Sequence, residues 1–324
     1  MEPTISIALC TYNGGKFLQR QINSFLNQTV LPDEVVVCDD GSGDHTLSIV
    51  RQFITDHPEI QWNLVENKTN LGASKNFEKA ISLCKGDLIF LSDQDDIWSR
   101  EKIAQTISYF DRNADMDAGF SNASLIDDEG RLLPGTLLDT TIFKPGVRGN
   151  YKKEDLLYWT LLFGNLMTGA TMAIRRTALP DILPFHLDLG RELWHDGWIS
   201  LSLLSNGRIQ YIDQTLMQYR VHAMQQVGVV VRDDPFEKYL FLHEYHEGFK
   251  KEYFQRYLSA FSTMRELKKI KPPDPSVEKR ITREYLDHRE KYFKSQSFSE
   301  RKLRLLKWYL QGVNFISFRD LMTL

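Results

Sequence analysis

Cysteine is scarce in this chain, with three among 324 residues: Cys10, Cys38 and Cys84. Each lies in or beside an apolar segment and none has metal-ligand spacing. This excludes a disulfide scaffold or zinc module and reads as reduced core residues of a cytosolic protein. An excess of charge of one sign is also missing, the formal net charge being −3, so bulk nucleic-acid binding is not expected. The opening residues Met1-Glu2-Pro3-Thr4 lack the basic region of a signal peptide and enter a strand directly. Long apolar runs are absent apart from the uncharged stretch Leu156 to Ile174. Gly164, Asn165, Thr168, Gly169 and Thr171 interrupt that stretch, so a helix, a turn and a buried strand are expected there rather than a membrane span.

Two familiar ligand signatures are missing as well. A dinucleotide fingerprint should follow the first strand as G-x-G-x-x-G, but the turn reads Thr11-Tyr12-Asn13-Gly14-Gly15. Gly41-Ser42-Gly43 is followed by Thr46 where the third glycine should stand, which disfavours a nicotinamide or flavin enzyme. The Gly-rich, Arg/Lys-bearing loop that a sugar nucleotidylyltransferase carries after its first strand is not found either.

What is present is a regular alternation of strand and helix. Ile5, Ile7 and Leu9 alternate with smaller residues, and Phe17, Leu18, Ile22, Phe25 and Leu26 follow at helical spacing between Lys16 and Gln28. Val35 to Cys38 forms a second strand, a helix with Asp44 as its cap runs to Asp56, and Trp62 to Val65 is a third strand. A loop at Asn67 to Gly72, a helix to Cys84 and a strand at Leu88 to Leu91 complete a doubly wound, mostly parallel α/β pattern. Further strands are expected at Met116 to Phe120, Thr168 to Ile174 and Ile209 to Ile212, and Gln218 to His222 closes the region. A helix opens at Leu193-Trp194-His195-Asp196 and runs to Leu204. Composition shifts after Val231, where Asp234-Pro235-Phe236-Glu237 is a good helix start. The expected division is a domain over residues 1–231 and a helical C-terminal region over 232–324.

The fourth strand runs into Ser92-Asp93-Gln94-Asp95-Asp96-Ile97-Trp98. Three carboxylates within four residues repel one another unless a cation or hydrogen-bond donors neutralise them. At the carboxyl edge of a sheet, such oxygens suit Mg²⁺ or Mn²⁺ shared with a diphosphate. A polar loop with an aspartate capping the helix near Glu101 is the competing reading. An EF-hand is excluded, since its glycine and terminal glutamate are missing.

Taken together, Thr11-Tyr12-Asn13, Asp39-Asp40-Gly41-Ser42, Asn70-Leu71-Gly72, Ser92 to Trp98, His195-Asp196 and Arg220-Val221-His222 resemble the inverting family-2 glycosyltransferases. These enzymes have the GT-A fold, a Rossmann-like sheet flanked by helices. The SDQDDIW and YRxH forms are most similar to bacterial enzymes that add rhamnose or a related sugar to surface polysaccharides. By that resemblance Thr11, Tyr12 and Asn13 would line a pyrimidine pocket, and Asp40 would accept from the base, favouring UDP- or dTDP-sugars. Asn70 and Lys75 would cover the nucleotide, and Asp93 would meet the ribose or support the metal. Asp95 and His222 would ligate Mg²⁺ or Mn²⁺, Arg220 would lie near the diphosphate, and Asp196 would be the base that deprotonates the acceptor hydroxyl. His195 would position the acceptor, with Gly169 and Thr171 on the acceptor side.

Each residue also has a plainer use. Asp39 and Asp40 suit a turn, Tyr12 strand-end packing, Lys75 a solvated helix face, Asp96 and Asp196 a helix cap, and His222 a structural hydrogen bond. The implied acceptor is a cell-surface glycan, lipid-linked or free. Near the C-terminus, Ser297 to Glu300 resembles a capping box. The basic, aromatic helix after it, with Arg301, Lys302, Arg304, Lys307, Trp308 and Tyr309, suits either an anionic inner membrane face or packing on the catalytic domain or a second copy in a homo-oligomer. A non-catalytic glycan-binding subunit is the alternative function.

Overall fold

The computed structural model describes residues 2–141, 143, 148, 151–189, 193–223, 225 and 250–294. The elements are numbered in chain order over those residues. The first half alternates as the spacing predicts: β1 Ile5–Thr11, α1 Leu18–Leu26, β2 Glu34–Asp39, α2 Thr46–Asp56, β3 Gln61–Glu66, α3 Ala73–Leu83 and β4 Leu88–Ser92. Strands β1, β2 and β4 are buried along their whole length, which is why they read as near-continuous apolar runs. Their side chains divide between two layers. Ile5, Ile7 and Leu9 pack with Leu18 and Ile22 of α1 and Val50 of α2. Ala8 and Cys10 face the other way, towards Phe77 and Ile81 of α3.

After β4 come β5 Ile97–Trp98, α4 Lys102–Arg112, β6 Ala118–Ile126 and β7 Leu132–Thr136. They are followed by α5 Lys153–Phe163, β8 Met172–Arg175, the short α6 Leu179–Ile182, α7 His195–Leu204 and β9 Ile209–Arg220. The sheet runs β3-β2-β1-β4-β8-β6-β9-β5, with β7 paired to β6. Pairing is parallel across β3, β2, β1 and β4, then antiparallel at β4/β8 and β8/β6 and parallel again at β6/β9. The uncharged run resolves into α5, a 3₁₀ turn at Gly169–Thr171 and β8. Among the described residues no helix is long and apolar enough to cross a membrane.

Three local expectations are revised. The extended piece expected at 209–212 runs on to Arg220 as one strand, β9, of 12 residues, because pairing with β6, resumed after a register shift, carries the chain past the polar residues at 213–215. Asp44 does not occupy the cap position of α2; it stands one residue earlier and accepts the Thr46 N–H at 2.9 Å. Asp96 does not cap α4, because its Oδ1 accepts the Arg220 backbone N–H at 3.0 Å.

The C-terminal helices α8 Lys250–Ile270 and α9 Pro275–Lys294 form a hairpin broken where Pro272 and Pro273 lie. Tyr257, Ala260, Met264, Leu267, Val277 and Ile281 join the same buried cluster as α3, α5 and α7. The boundary near residue 231, the helix start at 234–237 and the basic helix after residue 297 lie outside the described residues.

Candidate active site

The carboxyl ends of β1, β2 and β4 lie side by side, since β1 pairs in parallel with both neighbours. The turns that leave them are tied together through side chains. Thr11 Oγ1 donates to Asp39 Oδ2 at 2.8 Å, and Asp39 Oδ1 accepts the N–H groups of Gly41 and Ser42. Asn13, at a positive φ of 49°, joins the first two turns: its N–H donates to Ser42 Oγ and its Oδ1 accepts from Gly43, both at 2.8 Å. Gln94 clasps the backbone of Tyr12 from the third turn, accepting its N–H at 2.8 Å and donating to its carbonyl at 3.0 Å. Tyr12 itself is 44% exposed, leaving a ring face open at the rim.

Asp40 is buried, and protein donors already engage both of its oxygens. Oδ1 accepts from Asn67 Nδ2 and the Leu71 N–H, and Oδ2 accepts the Gly72 N–H, at 2.8 to 2.9 Å. It therefore fixes the 67–72 loop, with Asn70 Nδ2 reaching the Asp40 carbonyl at 3.2 Å. Gly72, at φ 79°, gives the turn into α3 a conformation that side-chain-bearing residues rarely adopt. Lys75 is half-exposed and paired with Glu78 on its own helix at 2.5 Å.

The β4 end carries the carboxylates. Asp95 Oδ2 lies 2.8 Å from His222 Nε2, with both side chains largely covered. Arg220 is fully buried; its Nε donates to the Asp95 carbonyl at 2.7 Å and its Nη1 to the Asp127 and Asp128 carbonyls at 2.7 and 3.1 Å. Phe17 lies under the guanidinium at 4.6 Å. Arg220 thus holds the acidic turn in shape from behind, and β9 delivers His222 two residues later. Burial first, and then Asp95, pushes the Asp93 carboxyl up to about 8. Asp96 is raised well above its usual value for the same two reasons.

Asp196 stands in the first turn of α7. Its Oδ1 accepts the Gly197 N–H at 2.7 Å and its Oδ2 the Gly169 N–H at 3.2 Å. His195 turns inward, stacked on Phe77 at 4.0 Å, and neither ring nitrogen has a hydrogen-bond partner. A Cβ on Gly169 would stand 2.5 Å from His195 Nε2, so glycine is needed there. Tyr219, on β9, is buried beside the carboxylates of the site. Burial first, then Asp96, Asp93, Asp95 and Asp196, drives its phenol well above its ordinary range.

Two residues at the site were missed by spacing and motif alone, Tyr219 and Lys102. Lys102 is 1% exposed and its Nζ donates to the Ala170 carbonyl at 2.7 Å. The signal for it was present: Lys102 falls on the same helical face as Ile103, Thr106 and Phe110, the core side of α4.

The donor set fits a divalent cation. Asp95 and His222 supply a carboxylate and an imidazole, ligands that suit Mn²⁺ well. Asp96 Oδ2 is buried without a partner, and Asp93 resists ionisation until a positive charge arrives. Among the described residues no three His, Cys, Asp or Glu side chains gather to hold an ion unaided, so phosphate and water oxygens would complete its shell.

A curled, mixed sheet with helices on both faces, and an acidic turn at its carboxyl edge facing an aspartate on a helix, defines a GT-A glycosyltransferase. The glycosyl transferase family 2 model matches residues 6–182, more than half of the chain, and the chain belongs to that family. It is 27% identical over 222 residues to an uncharacterised glycosyltransferase of Nostoc sp., covering 68% of this chain and 65% of that one. It is 33% identical over 131 residues to chondroitin synthase of Escherichia coli, covering 40% of this chain and 19% of that protein. The chain therefore spans less than two thirds of these relatives. Two solved structures share the fold. TarS 1–349 of S. aureus, in complex with UDP-GlcNAc, has a TM-score of 0.56 at 17% identity, covering 93% of this chain and 78% of that one. The mannosyltransferase PcManGT of Pyrobaculum calidifontis, in complex with GDP-Man and Mn²⁺, has a TM-score of 0.55 at 17% identity, covering 96% and 81%.

Proposed function

We propose that this chain is an inverting, metal-assisted glycosyltransferase that moves a hexose or deoxyhexose such as rhamnose from a UDP- or dTDP-sugar to a hydroxyl of a bacterial cell-surface glycan. One observation carries the reading: Gly169 gives its N–H to Asp196, and the carbonyl of the next residue, Ala170, accepts from the Nζ of Lys102, which lies over Trp98 at the end of the acidic turn, so Asp196 and the turn adjoin. A diphosphate held at the β4 end and an alcohol beside Asp196 would then flank one sugar ring.

The chemistry is a single displacement. Asp196 takes the proton of the acceptor hydroxyl as that oxygen bonds to the sugar's anomeric carbon, and the bond to the diphosphate oxygen breaks on the opposite face. Its position in the first turn of α7 and its two N–H donors hold the Asp196 carboxylate in place. A divalent cation bound by Asp95 and His222 would neutralise the charge that develops on the departing nucleoside diphosphate. Arg220 and Gln94 keep the turns rigid, so the site needs little rearrangement during the reaction.

The nucleotide sits, in this reading, against Thr11, Tyr12 and Asn13 under the 67–72 loop, with the Tyr12 ring as a stacking surface. Asp40 would act there through the loop it fixes. The pyrimidine preference rests on the resemblance in the β1 and β2 turns; of the two ligand-bound fold neighbours, one holds UDP-GlcNAc and the other GDP-Man.

A thermal-shift screen of UDP-, dTDP- and GDP-sugars with and without Mn²⁺, followed by a donor-hydrolysis assay on those that bind, tests the reading. Asp196→Asn is expected to slow turnover by about 10² to 10⁴-fold while nucleotide affinity stays within about threefold. An active Asp196→Asn enzyme would overturn the base assignment, and binding unaffected by chelator would overturn the metal.

A further inference from the structure

Lys102 is a feature of the site that neither the motifs nor the proposed reaction uses. A buried ammonium is costly, because its hydration is lost and the interior returns little of it unless hydrogen bonds and opposite charges replace the water. Leucine or methionine would fill the same space on the core face of α4 without that penalty. Burial first pulls the ammonium down to about 7, against the opposing pull of Asp96 and Asp93. Its retained contacts are specific. Nζ donates to the Ala170 carbonyl at 2.7 Å, lies 3.3 Å from Met217 Sδ on β9 and sits 4.2 Å over the Trp98 ring of β5.

These contacts lie on opposite sides of the reaction space. Trp98 ends the acidic turn that carries Asp93, Asp95 and Asp96. Ala170 belongs to the 3₁₀ turn whose first residue, Gly169, gives its N–H to the carboxylate of Asp196. We propose that Lys102 is a positioning residue: it ties the turn that orients Asp196 to the acidic strand end and so fixes the distance between base and diphosphate. The proposal rests on the transferase reading above. It adds a side-chain tie beyond the end of the β4/β8 ladder, whose last pair, Phe90 with Ala173, stops short of both the acidic turn and the Gly169–Thr171 turn. In-line displacement is sensitive to that spacing, and a misplacement of about 1 Å costs on the order of 10²-fold in rate.

The test is Lys102→Met, which keeps the length and packing of the side chain and removes its charge and donors. The expected result is a dissociation. The melting temperature stays level or rises, since replacing a buried charge by an apolar side chain is often neutral or stabilising. The Kd for UDP with Mn²⁺, measured by calorimetry, stays within about threefold, as does KM for the nucleotide sugar. The kcat for donor hydrolysis falls by about 10²-fold.

A merely structural lysine would instead lower melting temperature, affinity and rate together, and a dispensable one would leave kcat unchanged; either result overturns the proposal. Should the single variant fail to fold because Asp96 loses its counter-charge, the balanced pair Lys102→Met with Asp96→Asn is measured against Asp96→Asn alone. The same drop in kcat at unchanged affinity is expected, and no drop overturns the proposal. A wild-type protein that neither binds nor hydrolyses any nucleotide sugar would remove the transferase reading itself, whereas an active wild type matched by Lys102→Met removes only the role of Lys102.

Discussion

At the scale of single residues the site is a set of groups held in uncomfortable ionisation states. His195 is kept neutral by burial, its pKa lowered below the ordinary imidazole value despite the neighbouring Asp196. The unfolded chain therefore binds a proton near pH 6.5 that the folded chain refuses, so stability falls as pH drops below about 6.5 and is unaffected above it. His195→Gln removes that linkage. Thermal melts of both proteins from pH 5 to 8 should show the wild type losing ground to the variant only in the acid half of the range. A gap independent of pH would mean that His195 acts through packing alone. Asp40 is the opposite case, a carboxylate satisfied wholly by the protein. Asp40→Ala strands the Leu71 N–H and leaves the Gly72 N–H only its 3.1 Å bond to Asn70 Oδ1, and should cost about 1–3 kcal/mol of stability. Calorimetry should also show UDP affinity reduced by about tenfold or more, because the 67–72 loop loses its anchor.

At the scale of elements, the decisive pieces are the short turns that leave the sheet. The Gly169–Thr171 turn touches Asp196 with one residue and Lys102 with the next, and its glycine admits the His195 ring. Gly169→Ala would drive a methyl group to 2.5 Å from His195 Nε2, while Phe77 on the far side limits the ring's retreat. Overpacking of this kind costs about 1–3 kcal/mol. Because the displaced atoms adjoin the base, kcat for donor hydrolysis should fall while UDP affinity is kept. Retained activity with an unchanged melting temperature would show that the turn has room to yield. On the other side of the site, β9 carries Met217, Tyr219 and Arg220, with His222 two residues past its end, so its register against β6 sets where Arg220 and His222 meet the acidic turn.

At the scale of the whole molecule, the C-terminal hairpin shares a hydrophobic core with the helices packed on the sheet. Leu267 and Ile281 are fully buried and belong to the cluster that includes Leu156 and Leu161 of α5 and Phe77 of α3. Arg280 lies over the Tyr158 ring at 3.7 Å and pairs with Asp155, fastening α9 to α5. Truncation after residue 231 would uncover this face. The shortened chain is expected to aggregate or melt far below the full chain, and Leu267→Ala alone should cost about 2–5 kcal/mol. A truncated chain that folds and binds UDP as well as the parent would make residues 232–324 a separable domain.

The sequence by itself determined the alternation of strand and helix through β4, because buried parallel strands need continuous apolar runs and the helices between them need a single apolar face. The resemblance to family-2 glycosyltransferases singled out Asp95, Asp196, Arg220 and His222, and in the fold Arg220 and His222 both meet Asp95. Only the tertiary structure decided what each polar group does there. Asp40, Asn13 and Arg220 have their hydrogen bonds taken by backbone from segments distant in sequence, and Lys75 is drawn to Glu78. Lys102, by its letter a surface residue, is buried between two turns about 70 residues apart in sequence. Spacing reports which face a residue is on; the partner that satisfies a buried charge is set by packing between distant segments, which no local pattern encodes.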